Sequence, residues 1–146
     1  MQVLKALPLS AHPMALLRTG VSAYGCTDEN ESHISTDNFK HAGARLVAQA
    51  GTMVAALWRL AQGQEPITPD PSLSYAANLL YMLKGEKPNV DEAKIMDQAL
   101  ICHADHGIPA STFTAMVTVS SLTDLYSAVS AAIGYLKGTF HGGAME

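Results

Sequence analysis

The sequence has little cysteine and little of the residue alternation that is typical of β-strands. Only two cysteines occur among 146 residues, and Cys26 and Cys102 lie too far apart in sequence to suggest a disulfide framework. Reduced thiols in a cytoplasmic protein are the simpler interpretation, and Cys102, in an apolar run, is expected to pack in the core. Strand-like alternation of apolar and polar residues is nearly absent, which argues against a β-sheet protein.

The sequence also lacks clusters of like charge and long apolar runs. Charged residues make up 15% of the chain, the net charge is −4, and Lys and Arg are scattered rather than clustered. Such a surface has no basic face for a phosphate backbone, so a nucleic-acid partner is not expected. The apolar runs fall short of the roughly 20 residues that span a bilayer, and the N-terminus lacks the features of a signal peptide. We therefore predict no membrane partner either.

Helical periodicity is what the sequence does have. Hydrophobic residues make up 48% of the chain, and they recur at steps of three and four, which predicts one all-α domain over residues 1–146. The clearest helix covers residues 38–62, with Gly43 and Gly51 inside it. Because glycine weakens a helix interior, close approach of another helix is expected at these two positions. A long helix with a wide face of small residues suits a bundle centre or a subunit interface.

Five further helices bring the expected total to about six. Their predicted ranges are 12–24, 72–84, 89–105, 111–122 and a last helix between Thr123 and Gly138. The predicted N-terminal caps are Ser10, Asn89 (in a capping box with Glu92) and Thr123. The predicted C-terminal stops are Gly25, Gly85, Gly107 and Gly138.

Two polar clusters interrupt this apolar background, His103-Ala-Asp105-His106-Gly107 and His141-Gly142-Gly143. His103 and His106 are expected on one face of the last helical turn, where the helix dipole favours protonated imidazoles that can receive a small carboxylate. In the alternative interpretation they only cap the helix carbonyls at the surface. A metal site that adds Asp105 and His141 is a further alternative, although the spacing matches no familiar zinc signature. The glycine pair allows close backbone approach to a ligand, or is simply a loop.

Several motifs, in order along almost the whole chain, resemble the citrate synthase family. They are SAHPM at 10–14, LLRT at 16–19, YAANLLYM at 75–82, ALICHADHGIPASTFTA at 99–115, DLYSAV at 124–129 and LKGTFHGGAME at 136–146. The resemblance implies the central part of the family's large helical domain. It also implies an all-α homodimer that condenses acetyl-CoA with oxaloacetate to give citrate and CoA, with acetyl-CoA as a substrate and no cofactor or metal.

The same resemblance implies roles for three histidines. His141 matches the histidine that hydrogen-bonds the thioester carbonyl and stabilises the enol as it forms. His106 matches the histidine that holds oxaloacetate and polarises its ketone, and His103 is its supporting neighbour. This chemistry is sensible because a thioester α-carbon gives up a proton only while the carbonyl oxygen is stabilised.

The sequence also departs from the family pattern. Pro109 and Met145 stand where the family commonly has asparagine, which removes a hydrogen-bonding amide beside the site. No counterpart is present for the family's later Gly-Tyr-Gly-His histidine, aspartate base and substrate-binding arginines, so the isolated chain is expected to be inactive or nearly so. The alternative function is a non-catalytic helical module that dimerises through the long helix or binds a full-length homologue. The residues that decide whether acetyl-CoA or propionyl-CoA is the acyl donor are not expected within this segment.

Overall fold

The structure, a computed structural model, describes residues 1–142 as helices joined by turns and loops. Seven helices and no strand occur within this range, so the all-α prediction is confirmed. In chain order they are α1 (Gln2–Ala6), α2 (Pro13–Gly25), α3 (Thr36–Ala61), α4 (Tyr75–Lys84), α5 (Val90–Cys102), α6 (Ala110–Val119) and α7 (Leu125–Leu136). The sequence patterns did not predict α1, because a five-residue helix with one buried side chain, Leu4, is too short to show a periodicity.

The long helix predicted at residues 38–62 is α3, which begins two residues earlier and ends one residue earlier. Its buried positions follow the predicted stripe, with Ala42, Leu46, Met53 and Leu57 all in the core. Val47, another apolar residue of α3, is instead 65% exposed. The apolar face of α3 is therefore wider than the surface that the described residues cover.

Local signals predicted some helix ends correctly. Asn89 accepts a hydrogen bond from the backbone N–H of Glu92 while the Glu92 carboxylate accepts from the backbone N–H of Asn89, which confirms the capping box. Gly85 ends α4 in the left-handed conformation, with φ of 92°, as expected for a glycine C-cap.

Two predicted caps were wrong. The N-cap of α2 is His12, whose Nδ1 accepts from the backbone N–H of Met14 at 3.1 Å, rather than Ser10. Pro13, at the first helical position, sets this start. The N-cap of α7 is Asp124 rather than Thr123, because the Asp124 carboxylate reaches both the backbone N–H and the hydroxyl of Ser127.

Of the predicted glycine stops, Gly25 is the last residue of α2, as expected, whereas Gly107 was wrong. The missing side chain of Gly25 also serves packing: a Cβ there would lie 2.8 Å from Cβ of Tyr126. Helix α5 ends at Cys102, well before Gly107, which has a φ of 70° in the loop that follows. Cys102 is exposed, contrary to the expected core position, because no residue of α5 is buried among the described residues. Cys26 is also a free, exposed thiol.

The chain forms two compact units. The first contains Met1–Ala50 and the described residues from Ile108 onward; there α2 and α6 both pack against α7, around buried side chains such as Val21, Tyr126 and Ile133. The second contains Gly51–Gly107; there α4 packs against α5, and the buried apolar residues are four alanines with Met53, Leu57, Leu80 and Met82. The single domain over 1–146 stays a prediction. Within residues 1–142, no helix combines the length and apolarity that a bilayer span requires.

Candidate functional site

His141 is held by a hydrogen bond from an earlier helix. Its Nε2 lies 2.9 Å from Oγ of Ser111, a residue in the first turn of α6 that is only 7% exposed. The two residues are 30 positions apart, and no sequence signal marked Ser111, because serine in the first turn of a helix is common and uninformative. The structure thus adds Ser111 to the residues that the sequence had indicated.

The tyrosine ring at the end of α7 contacts the same imidazole. The ring centroids of Tyr135 and His141 are 5.5 Å apart with planes at 70°, an edge-to-face arrangement. A surface cleft of about 360 Å³ lies beside them. It is lined by Gly134, Tyr135, Gly138, Thr139, Phe140 and His141. The imidazole therefore stands at the wall of an open cleft that a small ligand can enter.

Gly142 has a packing reason to be glycine. A Cβ at this position would collide with the carbonyl oxygen of Leu136, in the last turn of α7. The glycine pair predicted that the backbone comes close to a ligand. At Gly142 the backbone instead comes close to the C-terminal end of α7. Gly143 and Met145 lie outside the described residues.

His103 and His106 do not share a helix face, so that prediction was wrong. His103 is the C-cap residue of α5, and its Nδ1 lies 2.7 Å from the carbonyl oxygen of Ala99. His106 lies beyond the helix, in an irregular segment, with its imidazole exposed. The helix ends early, at Cys102, so the chain direction changes between the two histidines. The contact between His103 and the Ala99 carbonyl is the helix-capping contact that the alternative interpretation predicted.

A local turn sets the position of His106. The carboxylate of Asp105 accepts a hydrogen bond from the backbone N–H of Gly107 at 2.8 Å, and Gly107 has the positive φ that such a turn uses. Asp105 is therefore engaged with the backbone. Among residues 1–142, no group of three His, Cys, Asp or Glu side chains is close enough together to hold a metal ion.

The helix that leads to His141 is anchored by an ionic cluster at its other end. The hydroxyl of Tyr126 donates to Oδ2 of Asp28 at 2.6 Å, and Arg45 pairs with the same carboxylate oxygen. The Tyr126 hydroxyl, the Asn30 amide and the Arg45 guanidinium together hold the pKa of Asp28 below its ordinary value. Burial, followed by the hydrogen bond to Asp28, raises the pKa of Tyr126. These contacts join α7 to α3 and to the loop after α2.

Pro109 stands where the family commonly has asparagine, and it is the N-cap residue of α6. Its backbone is extended, with φ of −67° and ψ of 167°, and no side chain caps the helix there. Proline restricts the residue before it and supplies no side-chain hydrogen bond. The start of α6, one residue before Ser111, is thus set by backbone conformation rather than by a capping amide.

Comparison with known proteins agrees with these features. The family model "Citrate synthase, C-terminal domain" matches residues 1–146. The citrate synthase of Deinococcus radiodurans is 44% identical over 144 residues, which cover 99% of this chain and 38% of that protein. The 2-methylcitrate synthase of Mycobacterium tuberculosis is 41% identical, covering all of this chain and 37% of that protein.

A solved structure gives the same result for the fold. The citrate synthase from Thermoplasma acidophilum, in a ternary complex with carboxymethyl coenzyme A and oxaloacetate, matches with a TM-score of 0.89 at 30% identity. The match covers 98% of this chain and 37% of that one, so the chain spans less than two fifths of its relatives' length. Because the family model matches from end to end and the fold agrees, this chain belongs to the citrate synthase family.

Proposed function

We propose that this chain contributes His141 and His106 to a citrate synthase active site that condenses acetyl-CoA with oxaloacetate. In this proposal acetyl-CoA is a substrate and no cofactor or metal takes part. The observation that carries it is the hydrogen bond between Nε2 of His141 and the buried hydroxyl of Ser111. A histidine that is held in this way beside an open cleft is suited to bind a reacting carbonyl group.

Because Nε2 of His141 is occupied by Ser111, the other ring nitrogen, Nδ1, is the one that can contact the substrate. In this proposal the Ser111 hydroxyl donates to Nε2, and Nδ1 carries the N–H of the ring. That N–H donates to the thioester oxygen as negative charge develops there, while a base removes the α-proton. An imidazole that is already oriented stabilises this charge without reorganising during the reaction.

His106 is proposed to bind oxaloacetate and polarise its ketone, as the family resemblance implies. Its exposed ring, on the turn that Asp105 and Gly107 shape, is accessible to a dicarboxylate. His103 has a supporting role, because its Nδ1–H donates to the Ala99 carbonyl and keeps that ring at the helix end. The cytoplasm is the proposed location, in keeping with two free, exposed thiols.

A hybrid enzyme tests this proposal directly. This chain replaces the matching segment of the Deinococcus radiodurans enzyme, to which it is 44% identical. The hybrid is expected to release CoA from acetyl-CoA only when oxaloacetate is present. His141→Ala and His106→Ala are each expected to lower kcat by about 100-fold or more, the usual size of a lost acid–base or oxyanion contact.

The matched control is His41→Ala, since His41 is an exposed histidine on α3 that belongs to neither cluster. A hybrid that is folded and active but unaffected by His141→Ala would contradict the proposal. The acyl preference of the hybrid should remain that of the Deinococcus enzyme, because the residues that decide it are expected elsewhere. A switch to propionyl-CoA would show that this segment contributes to the choice.

The 146-residue polypeptide alone is expected to release no CoA in the same assay, because it has no counterpart of the family's aspartate base. The assay subtracts a control without oxaloacetate, since Cys26 and Cys102 are exposed and react with thiol reagents. Circular dichroism must first show that the polypeptide is helical. Oxaloacetate-dependent release that disappears in His141→Ala would mean that another group supplies the base.

The alternative function is a dimerisation module, and one surface favours it. Apolar side chains of α2, α3 and α7 border an open cavity of about 340 Å³ in the first unit. Its lining is Leu17, Val21, Gly43, Leu46, Val47, Ala50, Leu125, Val129 and Ile133. A second copy of this chain is the proposed occupant, in agreement with the homodimer that the family resemblance implies. An apolar face of this kind is more typical of a protein interface than of free surface.

Sedimentation velocity distinguishes the outcomes. Val47→Glu, at a position that is 65% exposed in this cavity, is expected to convert a dimer to a monomer. Ile95→Glu, at an apolar position of α5 that is 67% exposed but does not line the cavity, should leave the dimer intact. A chain that is monomeric at all concentrations, or a dimer that tolerates Val47→Glu, would contradict this surface as the interface.

A further inference from the structure

We infer that Tyr135 is a positioning residue for His141, holding the plane of the imidazole while Ser111 holds its Nε2. This inference rests on the proposed role of His141. It goes beyond that role because it assigns a function to a tyrosine that neither the motifs nor the family resemblance had indicated. The starting observation is the edge-to-face contact of the two rings, with centroids 5.5 Å apart and planes at 70°.

Two consecutive turns bring the histidine back to the tyrosine. The backbone N–H of Gly138 donates to the carbonyl of Tyr135 at 2.9 Å, and the backbone N–H of His141 donates to the carbonyl of Gly138 at 3.0 Å. The first turn is tight, because a Cβ at Gly138 would lie 3.2 Å from the Tyr135 carbonyl oxygen. The ring contact therefore follows from how the chain leaves α7.

The two contacts restrain different motions of the imidazole. A single hydrogen bond at Nε2 fixes one atom of the ring and still permits the ring to rotate about that contact. An edge-to-face contact depends on the angle between the planes, so the Tyr135 ring restricts this rotation. With both in place, Nδ1 keeps one direction relative to the cleft.

The neighbouring aromatic residue makes no such contact. Phe140, which borders the same cleft, is fully exposed, with a relative accessibility of 104%. Tyr135 is 47% exposed, because part of its ring is covered. Phe140 therefore provides a matched control: an aromatic ring beside His141 whose removal should not affect the imidazole.

The test is solution NMR on the isotope-labelled 146-residue chain, without substrate. In the unaltered chain, NOEs are expected between the ring protons of Tyr135 and His141, and between the His141 ring protons that flank Nε2 and the Ser111 β-protons. Tyr135→Leu is expected to lose the Ser111 NOEs and to shift the Nε2 resonance toward that of an unconstrained imidazole. Tyr135→Phe keeps the ring and should retain both signals, and Phe140→Leu should also retain them.

Absence of ring-to-ring NOEs in the unaltered chain overturns the inference without any variant. So does a folded Tyr135→Leu chain whose Ser111 NOEs and Nε2 resonance are unchanged, or a Tyr135→Phe chain that loses them as fully as the leucine variant. Folding is followed through the methyl resonances of buried Ile133, which is 8% exposed. Because no step uses substrate, an inactive hybrid enzyme would refute the proposed function while leaving this result intact.

Discussion

The phenolic oxygen of Tyr126 lies 2.6 Å from Oδ2 of Asp28, a residue 98 positions earlier in the sequence. Tyr126 is 2% exposed, and its ring also meets Tyr24 edge-to-face at 5.8 Å. Arg45, on α3, pairs with the same carboxylate oxygen. Three separate segments of the first unit thus meet at one carboxylate, near the start of α7, the helix that carries Tyr135 and precedes His141.

Removal of the Tyr126 hydroxyl should destabilise the fold. Tyr126→Phe keeps the ring packing and deletes the donor to Asp28, so we expect a loss of about 1 kcal/mol of unfolding free energy, the typical net value of a hydrogen bond. Urea denaturation followed by circular dichroism measures it. Tyr24→Phe is the control and should change stability by less than about 0.5 kcal/mol. Equal effects of the two variants would contradict the special role of the Asp28 contact.

Stability should depend on pH through Asp28. Its pKa is lowered in the folded state, chiefly by the Tyr126 hydroxyl, so the folded protein favours the carboxylate more than the unfolded chain does. The resulting stabilisation is present above the ordinary carboxyl pKa of about 4 and is lost as the pH falls through the lower, folded-state value. Asp28→Asn should therefore lose part of the stability difference between about pH 7 and about pH 2.5.

The control for this titration is Asp37→Asn. The Asp37 side chain is 87% exposed and forms only a surface ion pair with Lys40 at 3.6 Å, so its variant should keep the pH dependence of the unaltered chain. Denaturant midpoints at several pH values give the comparison. If the two variants show the same pH profile, Asp28 is not the group responsible.

Two glycines should respond oppositely to alanine. Gly25→Ala places a Cβ 2.8 Å from Cβ of buried Tyr126, so the backbones must separate and we expect a loss of about 1–3 kcal/mol. Gly43→Ala meets only Cδ2 of Leu125 at 3.7 Å, an ordinary contact, and should gain about 0.5–1 kcal/mol from helix propensity. Thermal unfolding of both variants measures the difference. Stabilisation by Gly25→Ala would show that Tyr126 does not pack against α2 in this way.

The start of α7 should depend on Asp124 and hardly on Thr123. Asp124→Ala removes the acceptor of the Ser127 backbone N–H at 2.8 Å and should cost about 0.5–2 kcal/mol, as N-cap losses do. Thr123→Ala removes only a 3.2 Å contact to the Asp124 carboxylate and should cost less than about 0.5 kcal/mol. Chemical denaturation of the two single variants provides the measurement. The reverse order would restore Thr123 as the cap.

The helices and some of their ends were predictable because their determinants are local. The stripe of α3, the Asn89–Glu92 capping box and the left-handed Gly85 all involve residues within about one helical turn of one another. At the start of α7 the sequence predicted Thr123 as the N-cap, although the adjacent Asp124 is an equally suitable residue type. The longer reach of the Asp124 carboxylate to Ser127 makes Asp124 the N-cap in the folded chain.

The candidate site was predictable only in part. His103, His106 and His141 were found through motif resemblance, yet their geometry was not: the early end of α5 separates His106 from the helix, and Ser111 had no signal at all. The exposure of Cys102 was missed for a related reason. An apolar run predicts burial, but burial also needs a covering surface, and packing against α4 leaves no residue of α5 fully buried among the described residues.

The sequence by itself determined the helical class, the long helix and the family, and it predicted three site histidines, because periodicity, capping chemistry and motif order are local features of the sequence. Only the tertiary structure decided which distant side chains meet, as Ser111 meets His141 and Asp28 meets Tyr126. The physical reason is that such contacts depend on how helices pack, and packing is set by many weak apolar contacts summed over the whole unit. These distant contacts therefore cannot be predicted from any short stretch of the sequence.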